Sequence, residues 1–211
     1  MHVIIDNWAY LARAAVNTLW ISVVCIAIST VFGAFFGVAA AYHIRVLDQI
    51  NRACVWVVRG VPLLVVLFAG YFSMPPSVSP YVTAVATLSA YFTFFISEVV
   101  RGTVAAVPRG QLEAAKSVGL SFWKRVWLVV LPQALRTALP PVINVWVVLV
   151  KGTAYASVIS VWELTTASSE VAQRTVEPFQ VYGFTILIYF IICFPMTQLG
   201  RIAEARFHFK H

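Results

Sequence analysis

Five runs of apolar residues, each long enough to cross the hydrocarbon core of a bilayer, constrain the fold of this chain more than any other feature. A membrane-crossing α-helix needs about 20 mostly apolar residues, because the hydrocarbon layer is about 30 Å thick. The runs occupy approximately residues 16–42, 54–73, 81–100, 138–158 and 180–200. Backbone polar groups within lipid must be paired inside the protein, which favours helices. The sequence therefore predicts an all-α integral membrane protein, with one transmembrane domain over residues 1–211 and five spans.

The small share of charged residues argues against a soluble protein. Only 11% of the residues are charged and 61% are hydrophobic, whereas soluble domains contain roughly 25% charged residues. The formal net charge of +7 is compatible with nucleic-acid binding, but here the charges fall at the ends of the apolar runs. We therefore expect membrane lipid, and not nucleic acid, around this chain.

The basic residues lie mostly on one side of the predicted spans. Eleven of the 15 follow the first span, separate the third from the fourth, or follow the fifth: Arg45, Arg52, Arg101, Arg109, Lys116, Lys124, Arg125, Arg136, Arg201, Arg206 and Lys210. Arg13 and Arg174 lie on the other side, and Arg59 and Lys151 lie within spans. Because cytoplasmic loops carry an excess of Lys and Arg, the sequence predicts a cytoplasmic C-terminus and an N-terminus outside.

The segment 101–136 between the third and fourth spans is too polar to cross a membrane. Pro108 suits the first turn of a helix, and Gly119 suits the left-handed position that ends one. Ser121 can cap a second short helix, which we expect to end near Trp127, before Leu131-Pro132 breaks the pattern. The segment therefore predicts a helical hairpin on the cytoplasmic face. From its pattern alone, it could dock a protein or lie on anionic lipid.

The chain holds no sequence pattern for catalysis. ATP hydrolysis would require a phosphate-binding run of the type G-x4-G-K-[ST], which does not occur. The four histidines have no metal-ligand spacing: His2, His43, His208 and His211. We therefore expect no catalytic residue, no metal and no bound cofactor in this chain, so the energy for transport must come from another chain or from an ion gradient.

Small residues recur every four positions in the first span, at Ser29, Gly33, Gly37 and Ala41. Such a stripe lets a neighbouring helix approach closely, so we expect it to pack against another span.

The hairpin carries a recognisable spacing. Glu113-Ala114-Ala115, Gly119, Val129 and Leu131-Pro132 follow the order E-A-A-x3-G-x9-V-x-L-P. This order resembles the signature loop of permease subunits of ATP-binding-cassette importers, in which isoleucine usually replaces the valine. Further runs resemble the polar amino acid branch of that family, which includes histidine, glutamine and arginine permeases: 59–64, 101–104, 108–115, 131–134, 139–144, 151–155 and 159–164.

The resemblance implies a five-span subunit of the type I importer fold, with its coupling-helix hairpin between spans three and four. It implies a bacterial cytoplasmic (inner) membrane protein that moves polar amino acids or related compounds inwards. Its partners would be ATPase subunits that bind ATP and Mg²⁺, a second permease subunit of the same or another kind, and an extracytoplasmic solute-binding protein. The residues implied to couple to the ATPase are Gln111, Glu113, Ala114, Ala115, Gly119, Leu131 and Pro132.

Two cations within spans indicate the path of the solute, because ionisable groups in a membrane usually face a cavity. Arg59 and Lys151 each precede a glycine. We expect a solute path lined by Arg59, Gly60, Val61, Pro62, Lys151, Thr153, Tyr155 and Ser157, with Glu163 at its outer gate. In the alternative structural interpretations, Arg59 reaches the lipid phosphates, Lys151 pairs with a residue of another helix, and Glu163 is solvated in a loop.

Several positions depart from the pattern of the family that the chain resembles. Gly152 replaces an aspartate, Val61 a threonine and Val66 a glutamine, and Ala154-Tyr155 replaces Ser-Leu. The expected cavity is therefore less acidic, which disfavours a strongly cationic solute. The same losses fit a heterodimer whose other permease carries the binding groups.

Two other classes of protein compete with an ATP-driven importer. A gradient-driven secondary transporter would need carboxylates within spans or broken-helix repeats, and no acidic residue lies deep in a predicted span. A membrane enzyme would need an acid–base pair or a metal site, for which the sequence has no pattern.

Overall fold

The computed structural model describes residues 2–207 and contains, within them, helices and no strands. Lys210, one of the bases predicted to be cytoplasmic, lies outside this range, as do His208 and His211. The α-helices are α1 His2–Ala41, α2 Arg45–Gly60, α3 Leu63–Ser73, α4 Pro80–Ala105, α5 Arg109–Ser117, α6 Phe122–Arg125, α7 Leu131–Gly152, α8 Leu164–Thr175 and α9 Pro178–Phe207. A π-helical turn, Val126–Val130, joins α6 to α7, and a 3₁₀ helix, Thr153–Ile159, follows α7.

Four continuous helices of the described chain are long and apolar enough to cross a membrane: α1, α4, the run Phe122–Ile159 and α9. The run expected as a span over 54–73 is divided between α2 and α3, which are bent by 115° relative to each other. Pro62 explains the bend, since proline lacks an amide hydrogen and disfavours helical geometry in the residue before it. Val61 is accordingly extended, with φ −114° and ψ 129°.

The expectation that Leu131-Pro132 ends the second arm of the hairpin is wrong. The chain stays helical from Phe122 to Ile159, so the fourth crossing helix begins well before residue 138. The π-helical turn allows the helix to continue into Pro132. The amide of Leu131 donates to the carbonyl of Val126, five residues back. Pro132 then lies in the first turn of α7, where its missing amide hydrogen costs little.

The packing of α1 on α4 forms the centre of the bundle. A β-carbon at Gly33 would lie 2.8 Å from the carbonyl oxygen of Thr93, and one at Gly37 would lie 2.6 Å from that of Ser97. Both distances are shorter than any van der Waals contact, so only glycine permits this approach. The small-residue stripe is therefore confirmed as a helix-packing surface.

One end of the bundle, here called the basic end, collects the termini of several helices. Val38 of α1, Val104 of α4 and Ala134 of α7 belong to one apolar cluster there. Arg136 of α7 and Phe207 of α9 line one pocket. Of the eleven bases predicted on the cytoplasmic side, the ten within the described residues lie at this end, on α2, α4, α5, α6, α7 and α9.

The opposite end is closed by α8, which packs on the N-terminal half of α1. Leu11 and Ala14 of α1 are buried against Val171 of α8 and Val181 of α9. With 40 residues, α1 is about 60 Å long at 1.5 Å per residue. It therefore extends beyond the hydrocarbon layer, and its excess length carries the contacts with α8.

The contact between α1 and α4 generates a prediction on stability. Gly37→Ala places a methyl group against the Ser97 carbonyl, so the helices must move apart, and we expect a loss of about 1–3 kcal/mol in the free energy of unfolding. The measurement is denaturant unfolding of the purified chain in one detergent. Gly183→Ala is the control, because that helical glycine has open space around it; equal stability of both variants would contradict the packing.

Candidate functional site

The first arm of the hairpin at the basic end is a short helix with a well-defined stop. Pro108 precedes α5 in an extended conformation, and Gly119 follows it with φ +80°. The amide of Gly119 donates to the carbonyl of Lys116 at 3.0 Å, and that of Leu120 to Ala115 at 3.1 Å. These two bonds form a Schellman motif, which ends a helix at a left-handed residue. The predicted role of Gly119 in ending the helix is confirmed.

The two faces of α5 have different surroundings. Ala115 is buried, and Leu112 packs on an apolar cluster that contains Val107 and Val130. Glu113 and Ala114 are exposed on the other face, and no basic residue of 2–207 forms a salt bridge with Glu113. The helix is thus fixed from behind through Leu112 and Ala115, and the rest of its surface is open.

The remaining residues that we expected to couple to a partner support the hairpin. The side-chain amide nitrogen of Gln133, Nε2, donates to the side-chain oxygen of Gln111. It also donates to the backbone carbonyl of Val129 at 2.8 Å. This contact ties α5 to the start of α7. Leu131 is half-buried and Pro132 is exposed at the junction of the π-helical turn with α7.

A cavity of about 790 Å³ opens between α3, α4 and the end of α7. Its lining residues are Leu63, Tyr91, Phe92, Phe95, Asn144, Val145, Val148, Lys151, Gly152, Ala154 and Tyr155. None of these residues is acidic, and no carboxylate of the described chain lies within salt-bridge distance of Lys151. Lys151 therefore shares this space with aromatic rings, a tyrosine hydroxyl and an amide, and it also lines a smaller cavity beside Cys193 of α9.

The structure brings only part of the expected solute path to this cavity. Lys151 and Tyr155 line it. Thr153 is buried, and its hydroxyl donates to the carbonyl of Val150. The Ser157 hydroxyl donates to the carbonyl of Ala154. Val61 lies at the border, since its carbonyl accepts from the Tyr91 hydroxyl at 3.5 Å.

Arg59 and Gly60 line a separate cavity at the basic end, and Pro62 precedes α3 as its N-cap.

Glu163, expected at an outer gate, is instead fully buried at the start of α8. One carboxylate oxygen accepts from the amide of Thr166 at 2.8 Å, and the other accepts from the Tyr189 hydroxyl at 3.2 Å. Burial raises the pKa of the Glu163 carboxyl, while these hydrogen bonds act in the opposite direction. Its role in this chain is to cap α8 and to connect it to α9.

Sequence reasoning missed the aromatic wall and the amide of the cavity. Tyr91, Phe92 and Phe95 line it from α4, and Asn144 lines it from α7. Asn144 had a detectable signal, because it is a polar residue in an apolar run at seven residues, or two helical turns, before Lys151. The aromatic residues gave no such signal, because an aromatic side chain in a span is as common in helix packing as in the wall of a cavity.

Comparison with known proteins identifies this architecture. Residues 29–209 match the family described as the inner membrane component of binding-protein-dependent transport systems. The chain belongs to this family. It is therefore a multi-pass inner-membrane transport component and not a catalytic subunit, and no comparison favours a gradient-driven transporter. Membership implies ATPase and permease partners and a substrate-binding protein.

Several relatives match over nearly the whole permease. The probable amino-acid ABC transporter permease YckA of Bacillus subtilis is 33% identical, covering 96% of this chain and 91% of that protein. The glutamine transport permease GlnP of Escherichia coli is 31% identical, with coverage of 93% and 92%.

Two solved structures show the same fold. A crystal structure of an amino acid ABC transporter with histidines superimposes with a TM-score of 0.86 at 25% identity, covering 96% of each chain. The methionine ABC transporter MetNI, in an inward-facing conformation, superimposes with a TM-score of 0.77 at 20% identity, covering 92% and 95%.

The Schellman motif generates a prediction on the permease hairpin. Gly119→Ala puts a β-carbon on a left-handed residue, which costs about 1–2 kcal/mol, so we expect local opening to increase about five- to thirtyfold. Hydrogen exchange of the Gly119 and Leu120 amides measures it. Gly110→Ala, inside α5 with open space around it, should slow exchange or leave it unchanged; faster exchange in both variants would contradict the assignment.

Proposed function

We propose that this chain is the permease subunit of an ATP-driven importer of amino acids, and that α5 is the helix through which an ATPase subunit moves it. The observation that carries the proposal is the open face of a helix that is fixed from behind. Glu113 and Ala114 face outwards, while Ala115 and the Gln111–Gln133 contact hold α5 on the bundle. The names of its relatives as amino acid permeases support the class of solute.

The proposal places the basic end in the cytoplasm. The ten bases at that end, against Arg13 and Arg174 at the other, support this orientation through the positive-inside rule. The N-terminus would then lie outside, and the solute-binding protein would dock at the end closed by α8. The ATPase subunits, which carry ATP and Mg²⁺, would engage the hairpin from the cytoplasm.

The hairpin and the cavity are joined by one helix. The helical run from Phe122 passes through the π-helical turn and α7 to Lys151, a length of about 44 Å at 1.5 Å per residue. The run stays helical although Pro140 and Pro141 lie inside α7, so displacement at one end is carried to the other. We therefore infer that movement of the hairpin changes the width of the cavity through α7.

The chemistry of the cavity suits a zwitterionic amino acid with an uncharged side chain. Lys151 can receive the carboxylate, and the rings of Tyr91, Phe92 and Phe95 can receive an apolar or amide side chain. A cationic side chain would find no anion in the lining of this subunit. The second permease subunit, a copy of this chain or a different one, faces the same path and can add groups to it.

The first test addresses coupling. In the reconstituted complex with its ATPase subunits, Glu113→Ala removes the one acidic contact that α5 offers. We expect solute-stimulated ATP hydrolysis to fall about tenfold, since a hydrogen bond to a charged group contributes about 1.5–3 kcal/mol. Glu204→Ala, an exposed carboxylate on α9 at the same end, is the control and should keep its activity. Full coupling in the Glu113 variant would refute the docking assignment.

The second test addresses the solute. Lys151→Met keeps the length of the side chain but removes its charge, so we expect the half-saturating concentration of an amino acid to rise about tenfold. Transport of the matching amine, which has no carboxylate, should be the same in the variant and the wild type. Ser157→Ala, whose hydroxyl lies outside the cavity, is the control. An equal loss for amino acid and amine would make Lys151 a structural residue.

A further inference from the structure

A second cavity lies at the basic end, separate from the one that contains Lys151. It measures about 570 Å³ and is enclosed by the ends of α1 and α4 and one face of α2. Its lining residues are Ala40, His43, Asp48, Arg52, Val55, Trp56, Arg59, Gly60, Glu98 and Arg101. Arg59 was expected on the solute path but lines this cavity instead, so the proposed transport function uses none of these residues.

The charges in this cavity are arranged in two layers. The carboxylates form the floor: the side chain of Asp48 is 6% exposed, and that of Glu98 is 23% exposed. Arg52 and Arg59 form the rim, and each side chain is 61% exposed. Arg101 lies between the layers at 38% exposure.

The carboxylates hold the guanidinium groups in place. Arg52 lies 3.0 Å from Asp48, Arg101 donates to Glu98 at 2.7 and 2.9 Å, and Arg59 lies 3.7 Å from Glu98. A guanidinium group has five N–H donors, so one carboxylate contact leaves most of them for another ligand. Three arginines against two carboxylates give the cavity a formal charge of +1 with His43 neutral.

The remaining walls are mostly apolar, and the outside of α2 carries both apolar and basic residues. Val55 and Trp56 line the cavity, and Trp56 is 80% exposed. Val46, Ile50 and Val57 are exposed along α2 beside exposed arginines, whereas Asp48 and Asn51 are buried. A helix that exposes apolar and basic residues together with a tryptophan is typical of the membrane interface. The cavity therefore presents anion donors next to a surface suited to lipid.

We propose that this cavity binds the phosphate of an anionic phospholipid, with Arg52, Arg59 and Arg101 as its donors. Guanidinium groups match phosphate geometry through paired N–H donors. Inorganic phosphate shares this chemistry, but it makes no use of Trp56 and the apolar surface of α2. Its lining residues belong neither to the cavity that contains Lys151 nor to α5.

The test is lipid binding to the purified full-length chain after delipidation in a non-ionic detergent. Native mass spectrometry counts the bound phosphatidylglycerol and phosphatidylcholine as each is titrated. We expect tighter binding of phosphatidylglycerol to the wild type and about tenfold weaker binding to the double variant Arg52→Ala, Arg59→Ala. The matched control is Arg45→Ala with Arg206→Ala, which removes two exposed bases from the same end outside the cavity. This control should bind as the wild type does.

A competition arm distinguishes the two sources of phosphate. Retention of phosphatidylglycerol in millimolar inorganic phosphate supports a lipid site, whereas its displacement would show a site for soluble phosphate and overturn the lipid assignment. Equal weakening in both double variants would reduce the effect to the overall charge of this end and overturn the proposal. Equal binding of the two lipids by the wild type would do the same.

Discussion

The continuity of one hydrogen-bonded helix from Phe122 to Ile159 determines how the rest of this structure is arranged. Three prolines interrupt the supply of amide donors along it, at Pro132, Pro140 and Pro141. In lipid, each acceptor that loses its donor must be satisfied nearby. The π-helical turn before Pro132 widens the helix by one residue, and the chain stays helical through Pro132, Pro140 and Pro141 although each proline lacks an amide donor. The hairpin and the cavity therefore share one backbone element, although about thirty residues separate them.

The two cations that lie within the predicted spans illustrate how a fold separates similar residues. Both precede a glycine, and both were expected on one path. The bend between α2 and α3 turns Arg59 towards Glu98 at the basic end, while α7 keeps Lys151 in the cavity lined by the aromatic residues of α4. Their surroundings then differ in charge. Asp48 and Glu98 line the cavity of Arg59, whereas the lining of the cavity that contains Lys151 includes no carboxylate.

Features that depend on one residue and its neighbours were predictable from the sequence. Gly119 ends α5 because few other residues tolerate its φ of +80°, and the glycines of α1 permit a close approach wherever a helix packs on them. The effect of proline was not predictable to the same degree. Pro62 produces a bend of 115° whereas Pro132 begins a helix, because the outcome depends on whether the preceding turn can supply other hydrogen bonds. The burial of Glu163 was also not predictable from the sequence, since its partner Tyr189 lies 26 residues away on another helix.

The two ends of the bundle differ in how firmly they are held, and this difference determines which end can move. At the end closed by α8, Glu163 joins two helices, the Thr18 hydroxyl accepts from the amide of Leu164, and the Trp162 ring donates to Tyr10. Breaking these contacts would leave buried polar groups unpaired, each at a cost of about 1–3 kcal/mol. At the basic end, the hairpin is attached by apolar contacts, including the Tyr42–Phe122 ring pair, and by the Gln111–Gln133 contact. In the proposed mechanism, a force from the ATPase at the basic end would therefore displace the hairpin first and α8 last.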